Sequence, residues 1–206
     1  MPTREPDPRL ELWFDFASTY SYLSVMRSEA IAARHGVALS WRPFLLGPVF
    51  QAVGWTAPPF LALPAKGRYM WTDLERQCRK YRLPWCQPAS FPKRSVLACR
   101  VGVLAQDSPW IGDYCRAVMQ ANFAHDLDID APETITSVLE HLGLPAAALL
   151  QQAESAENRA RLRAQTEAAG THGIFGAPSF LVGGELFWGD DRLEDAIALA
   201  AGRGTR

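Results

Sequence analysis

Strand signals stand at the two ends of this 206-residue chain with a long helical stretch between them, and that separation constrains the fold more than any other feature. LELWFDF (Leu10–Phe16) alternates and is rich in aromatic residues, as a short central strand is. YSYLSVMRSEAIAARHG follows, with Tyr22, Val25, Met26, Ile31 and Ala32 at helical spacing and Gly36 where a helix C′ residue belongs. VALSWRPFLL (Val37–Leu46) is a second strand. Joints this short make the three a βαβ unit with parallel strands and a right-handed crossover. At the other end, PSFLVGGELFWG carries two apolar runs about Gly183-Gly184, a hairpin signal, and DDRLEDAIALAA is a terminal helix with Leu193, Ala196, Ile197 and Ala200 inward.

The middle cannot complete that sheet. GPVFQAVGWTAPPFLALPAKG has Pro or Gly every few residues and reads as a loop with brief helical turns. Helical patterns follow: Met70, Leu74, Cys78 and Tyr81; Val96 to Leu104; Ile111, Cys115, Val118 and Met119; Ile135, Val138, Leu139 and Leu142. The last of these has Asp130 as its expected N-cap, Pro132 and Glu133 in its first turn and Gly143 closing it. A further helix, rich in Ala, Arg and Glu, runs from about Glu157 to Ala169. The order predicts an α/β protein, a thioredoxin-like fold with an inserted all-helical domain: residues 1–46 and 167–206 form the discontinuous thioredoxin-like part and 47–166 the insertion.

Composition narrows the partners. Hydrophobic residues make up 48% of the chain, enough for a sizeable core, and 21 basic and 22 acidic residues lie scattered without blocks. No electrostatic footprint for nucleic acid or an anionic membrane results, so neither is expected as a partner. MPTREPDPRL is polar and proline-rich with no apolar run after it, and the chain has no long uncharged apolar stretch, so the expected location is cytoplasmic. Cys78, Cys86, Cys99 and Cys115 show no C-x-x-C pair and no histidine at ligand spacing, which predicts free, mostly buried thiols and no metal site.

The chemistry is expected at the first strand-to-helix turn, where free N–H groups and the helix dipole stabilise an anion. In a thioredoxin-like sheet that turn carries a reactive thiol. Here Ser18 stands in the place of the attacking cysteine and Ser21 in that of its partner. A serine without an adjacent base is a weak nucleophile, but its O–H is a good donor to a thiolate brought by another molecule. Ser18 also reads as a plain N-cap, and Asp191-Arg192-Leu193-Glu194 as a capping box.

FDFASTYSYL resembles the F-D-F-x-S-P-Y-S-Y-L signature of the kappa-class glutathione transferases and the 2-hydroxychromene-2-carboxylate isomerases, glutathione-dependent relatives of the bacterial disulfide oxidoreductases. The resemblance continues in the same order through LGPVFQAVGW, PAKGRYMW, DLER, FPKRSVLACR and GIFGAPSFLVGGELFWGDDRL, and so covers nearly the whole chain. It implies that glutathione is the cofactor and that Ser18 donates to its sulfur. It implies that Pro178 is a cis-proline facing that sulfur, that the backbone of Ala177 pairs with the cysteinyl part, and that Asp191, with Asp190 beside it, meets the γ-glutamyl amino group. Lys66 matches a lysine of the family, and Thr56, after Trp55, stands where an asparagine is common; Thr19 replaces the usual proline. The implied activity is ring opening and cis/trans isomerisation of an aromatic-derived acid through a transient glutathione adduct, in aromatic catabolism. Lys66 or Arg68 would hold the substrate carboxylate, loop aromatics would suit a flat small-molecule substrate, and the protein would be a homodimer. A kappa-like transferase or peroxidase, or a glutathione-binding protein without turnover, would use the same residues.

Overall fold

The computed structural model describes residues 9–52, 54 and 62–202. Strand β1 (Arg9–Phe14), helix α1 (Thr19–Arg34) and strand β2 (Ala38–Pro43) open the chain. Then come α2 (Leu46–Ala52), α3 (Pro64–Tyr81), α4 (Val96–Ala105), α5 (Ile111–Phe123), α6 (Pro132–His141), α7 (Ala146–Ala153) and α8 (Ala156–Thr171). Strands β3 (Ser179–Val182) and β4 (Glu185–Trp188), a 3-10 turn at Asp190–Arg192 and α9 (Leu193–Ala200) close it. The fold is thioredoxin-like, a mixed sheet ordered β2-β1-β3-β4.

The two ends of the chain meet at β1. Leu12 pairs with Trp41 of the parallel β2 on one side and with Phe180 of the antiparallel β3 on the other. Gly183 and Gly184 take φ of +58° and +93°, the pair of left-handed conformations that a two-residue turn between β3 and β4 requires. Alternation along β1 divides the core: Leu10, Leu12 and Phe14 join the large cluster shared with α1, α5 and α9, while Trp13 packs on the other face with Phe44, Val49, Ala169 and Ile174. Helices α2 and α8 supply that second face, so the sheet is covered on both sides.

The expected Asp130 cap is not made. The N-cap position of α6 is Ala131, which offers no side-chain acceptor. Asp130 Oδ1 accepts instead from the N–H of Leu97 in the first turn of α4 at 2.8 Å, and its Oδ2 pairs with Arg94 at 3.1 Å. The reason lies in Ser95, the N-cap residue of α4, which makes no cap bond because its hydroxyl donates to Asp15 at 2.7 Å. The first-turn N–H groups of α4 are left without an acceptor, and Asp130 supplies one from another element.

Candidate functional site

The site begins with the residue that stops β1. The buried Asp15 carboxylate accepts from the N–H of Ala17 at 2.8 Å, the N–H of Leu46 at 2.8 Å and the Ser95 hydroxyl, while the Asp15 carbonyl accepts from the N–H of Ser18 at 3.0 Å. Burial pushes this carboxyl up from its ordinary range, and the three hydrogen bonds pull back part of that shift. So held, the turn places Ser18 as the N-cap of α1, its Oγ accepting from the N–H of Ser21 at 3.3 Å. The same hydroxyl donates to the carbonyl of Ala177 at 3.1 Å, and the Ala177–Pro178 bond is cis. The N-terminus of α1 therefore faces the entry to β3. Ser21 is fully buried, and its hydroxyl has no partner among the described residues.

Beside this contact opens a cleft of about 430 Å³ walled by Ala177 and Pro178, by the segment after β4 and by one face of α3. Three carboxylates line it, Asp73, Asp190 and Asp191, against the single ammonium of Lys80. Asp73 accepts from the Tyr20 hydroxyl at 2.8 Å; burial and that carboxylate push the Tyr20 phenol up, so it keeps its proton as a donor. Asp190 is buried, and its Oδ1 accepts from Ser24 at 2.8 Å and from Arg27 at 2.9 Å. Burial raises its carboxyl and Arg27 opposes the rise. Arg27 also reaches Glu194 at 2.9 Å and lies 3.7 Å over the ring of Tyr81, another residue of the cleft wall.

Asp191 differs from its neighbour. Its side chain is 73% exposed and pairs with Arg192 at 3.1 Å. The capping box read in the sequence does not form: Asp190–Arg192 is a 3-10 turn, and α9 starts after Arg192 with no side-chain cap. The chain bends into this turn at Gly189, φ +111°, where a side chain would meet Asp191 Oδ1. Gly176 is equally constrained, since any side chain there would run into the indole of Trp188. Trp188 and Phe175, 4.9 Å apart between ring centroids, are 53% and 46% exposed, and Trp188 lines the cleft.

Of the residues singled out in the sequence, Ser18, Ala177, Pro178, Asp190 and Asp191 come together. Lys66 does not line the cleft; it is exposed on the first turn of α3, two turns before Asp73 on the same side of the helix. Thr56 and Trp55 lie outside the described residues. Trp13 and Trp41 are buried in the core, and among the described residues Trp188 is the tryptophan that opens on the cleft. Tyr20, Asp73, Lys80, Tyr81 and Arg27 were not singled out as cleft residues, although Tyr20 stands within FDFASTYSYL and Asp73 within DLER. None of the four cysteines lines the cleft. Burial pushes the Cys78 thiol up to about 11 and those of Cys99 and Cys115 well above their ordinary range, which leaves them protonated and unreactive.

A hydroxyl at a helix N-terminus, a backbone edge and a cleft rich in carboxylates suit a peptide-like ligand that carries both a soft anion and an ammonium group. Comparison with known proteins finds relatives over nearly the whole chain. Residues 9–198 match the DSBA-like thioredoxin domain. The chain is 30% identical over 186 residues to the 2-hydroxychromene-2-carboxylate isomerase of Pseudomonas putida, covering 89% of this chain and 90% of that protein. It is 29% identical over 208 residues to human glutathione S-transferase kappa 1, covering 92% and 89%. A solved 2-hydroxychromene-2-carboxylate isomerase superposes with a TM-score of 0.85 at 28% identity, covering 95% of each chain.

Proposed function

The chain belongs to the DSBA-like thioredoxin domain family, in the branch of the 2-hydroxychromene-2-carboxylate isomerases and kappa-class transferases, and we propose that it is a glutathione-dependent isomerase of the 2-hydroxychromene-2-carboxylate type. The observation that carries this reading is the Ser18 hydroxyl, N-cap of α1 and 3.1 Å from the carbonyl that precedes cis Pro178, standing where a redox enzyme of this fold needs a thiol.

Glutathione, when bound, would supply a thiolate nucleophile whose reversible addition converts a conjugated double bond into a single bond free to rotate, so that the thiol is not consumed. The chain's own residues do the rest. Ser18 and the free N–H groups of α1 hold negative charge at the sulfur position, which favours the thiolate without a general base. Ala177 offers its backbone to the cysteinyl part. Asp191, with Asp190 behind it, receives the ammonium group, and the orphaned Ser21 hydroxyl stays behind the turn, out of reach of solvent. Phe175 and Trp188 offer an apolar platform for an aromatic substrate beside the sulfur position. Lys66 and Arg68, both exposed on α3 outside the cleft wall, are the cations assigned to the substrate carboxylate in this reading. The assembly proposed is a cytoplasmic homodimer.

The test is whether glutathione is consumed. The protein is mixed with glutathione and a chromene carboxylate, and separately with glutathione and an electrophilic chlorobenzene. Isomer conversion with total free thiol unchanged is the expected result. Loss of thiol in step with product in the second mixture, without conversion in the first, makes the protein a kappa-like transferase, and no turnover in either leaves a glutathione-binding protein.

A further inference from the structure

The hydroxyl assigned to the sulfur is already engaged. Ser18 has one proton, and it is directed to the Ala177 carbonyl at 3.1 Å, while its Oγ accepts from Ser21 N–H at 3.3 Å. Donation to a thiolate therefore requires the Ala177 bond to be given up, and a part-buried carbonyl that loses its donor is costly unless another replaces it. Ala177 is itself an open backbone edge on the cleft wall. Its N–H has no hydrogen-bond partner among the described residues, its carbonyl carries only Ser18, and the next residue is a proline with no N–H to give. An acceptor and a donor on one residue of such an edge pair with an extended backbone.

We propose that the site selects its thiol by the amide N–H next to the sulfur-bearing side chain, because that N–H takes over the Ala177 carbonyl and releases the Ser18 proton. This rests on the glutathione reading and adds a condition to it. Rotation about the Cβ–Oγ bond redirects the Ser18 proton without moving the oxygen, so the bond from Ser21 N–H and the cap of α1 persist through the exchange. The incoming N–H displaces the hydroxyl from the carbonyl and does not share it, and a thiolate is a strong acceptor for the freed O–H, so nothing opposes the transfer. A thiol with no amide N–H leaves Ser18 on Ala177 and is not activated to the same degree.

Two measurements that do not depend on turnover test this. S-methylglutathione places only a thioether, a weak acceptor, at the sulfur position, so the wild type loses a hydroxyl bond on binding that Ser18→Ala never had. Calorimetric titration should then show Ser18→Ala binding S-methylglutathione about 2- to 10-fold tighter than the wild type. Equal or weaker binding by the variant overturns the exchange and leaves the glutathione site standing. In the second measurement, thiolate absorbance near 240 nm is followed against pH for the wild type saturated with glutathione or with its analogue methylated on the cysteinyl nitrogen. The bound thiol of glutathione should ionise at a pH about one unit lower than that of the analogue, and equal values overturn the selection. Failure of the wild type to bind either glutathione or S-methylglutathione overturns the glutathione reading itself.

Discussion

Adjacent in sequence, Asp190 and Asp191 are held under opposite conditions, and they should answer differently to the same change. Asp191 is exposed, makes no cap bond and, among the described residues, has Arg192 as its side-chain hydrogen-bond partner. Replacing it with Asn should leave the melting temperature in place and weaken glutathione about 2- to 10-fold, the loss of one solvent-screened charge partner. Asp190→Asn instead leaves the Arg27 guanidinium without its buried partner and should lower stability by about 3–5 kcal/mol. Calorimetric titration beside thermal melts separates the two, and unchanged affinity in Asp191→Asn would mean that the ammonium end has been misplaced. At this scale the sequence was legible where a residue type is rare in its setting, as a serine at the turn or a proline at the entry to a strand. It misled where a local pattern had two meanings, since a D-x-x-E spelling looks like a capping box whether or not the helix begins there. The Tyr20–Asp73 bond joins residues 53 apart, and no local pattern encodes such a contact.

Helices and strands were legible from their periods, and their ends less so. The strand read as Leu10–Phe16 stops at Phe14 because Asp15 turns its carboxylate back on the N–H of Ala17. The helix of Met70, Leu74 and Cys78 is in place, with all three buried. Caps were misassigned because elements exchange them: Ser95 faces Asp15, and Asp130 caps α4 in its stead. Asp130→Ala should therefore lower stability by about 1 kcal/mol through α4, with faster amide exchange at Leu97 and no change at the start of α6. Faster exchange at the first turn of α6 alone would restore the local reading.

Across the whole molecule, Asp15 joins three segments that are distant in sequence, through Ala17, Leu46 and Ser95. Its folded carboxyl is raised above the ordinary value of 3.8, so between that value and the raised one the native state binds more protons than the unfolded chain. The contribution of Asp15 to stability then falls as pH rises through that window and is flat on either side. Asp15→Asn puts an amide where Leu46 N–H needs an acceptor and should destabilise the protein by about 1–3 kcal/mol at pH 7. The gap between wild type and variant in urea unfolding should be widest in acid and narrow toward neutrality; a gap that widens with pH would show a carboxyl lowered by its hydrogen bonds. Helix α1, finally, holds two residues of the cleft wall from behind, Ala177 through Ser18 and Asp190 through Ser24. Ser18 caps it, and Ser24, six residues along, holds Asp190 at 2.8 Å, so the two serines are spaced by about 9 Å of stiff helical rise. Whatever molecule is gripped at both points is measured for length by a part that cannot stretch, and a relative one backbone unit shorter or longer can satisfy one grip but not both.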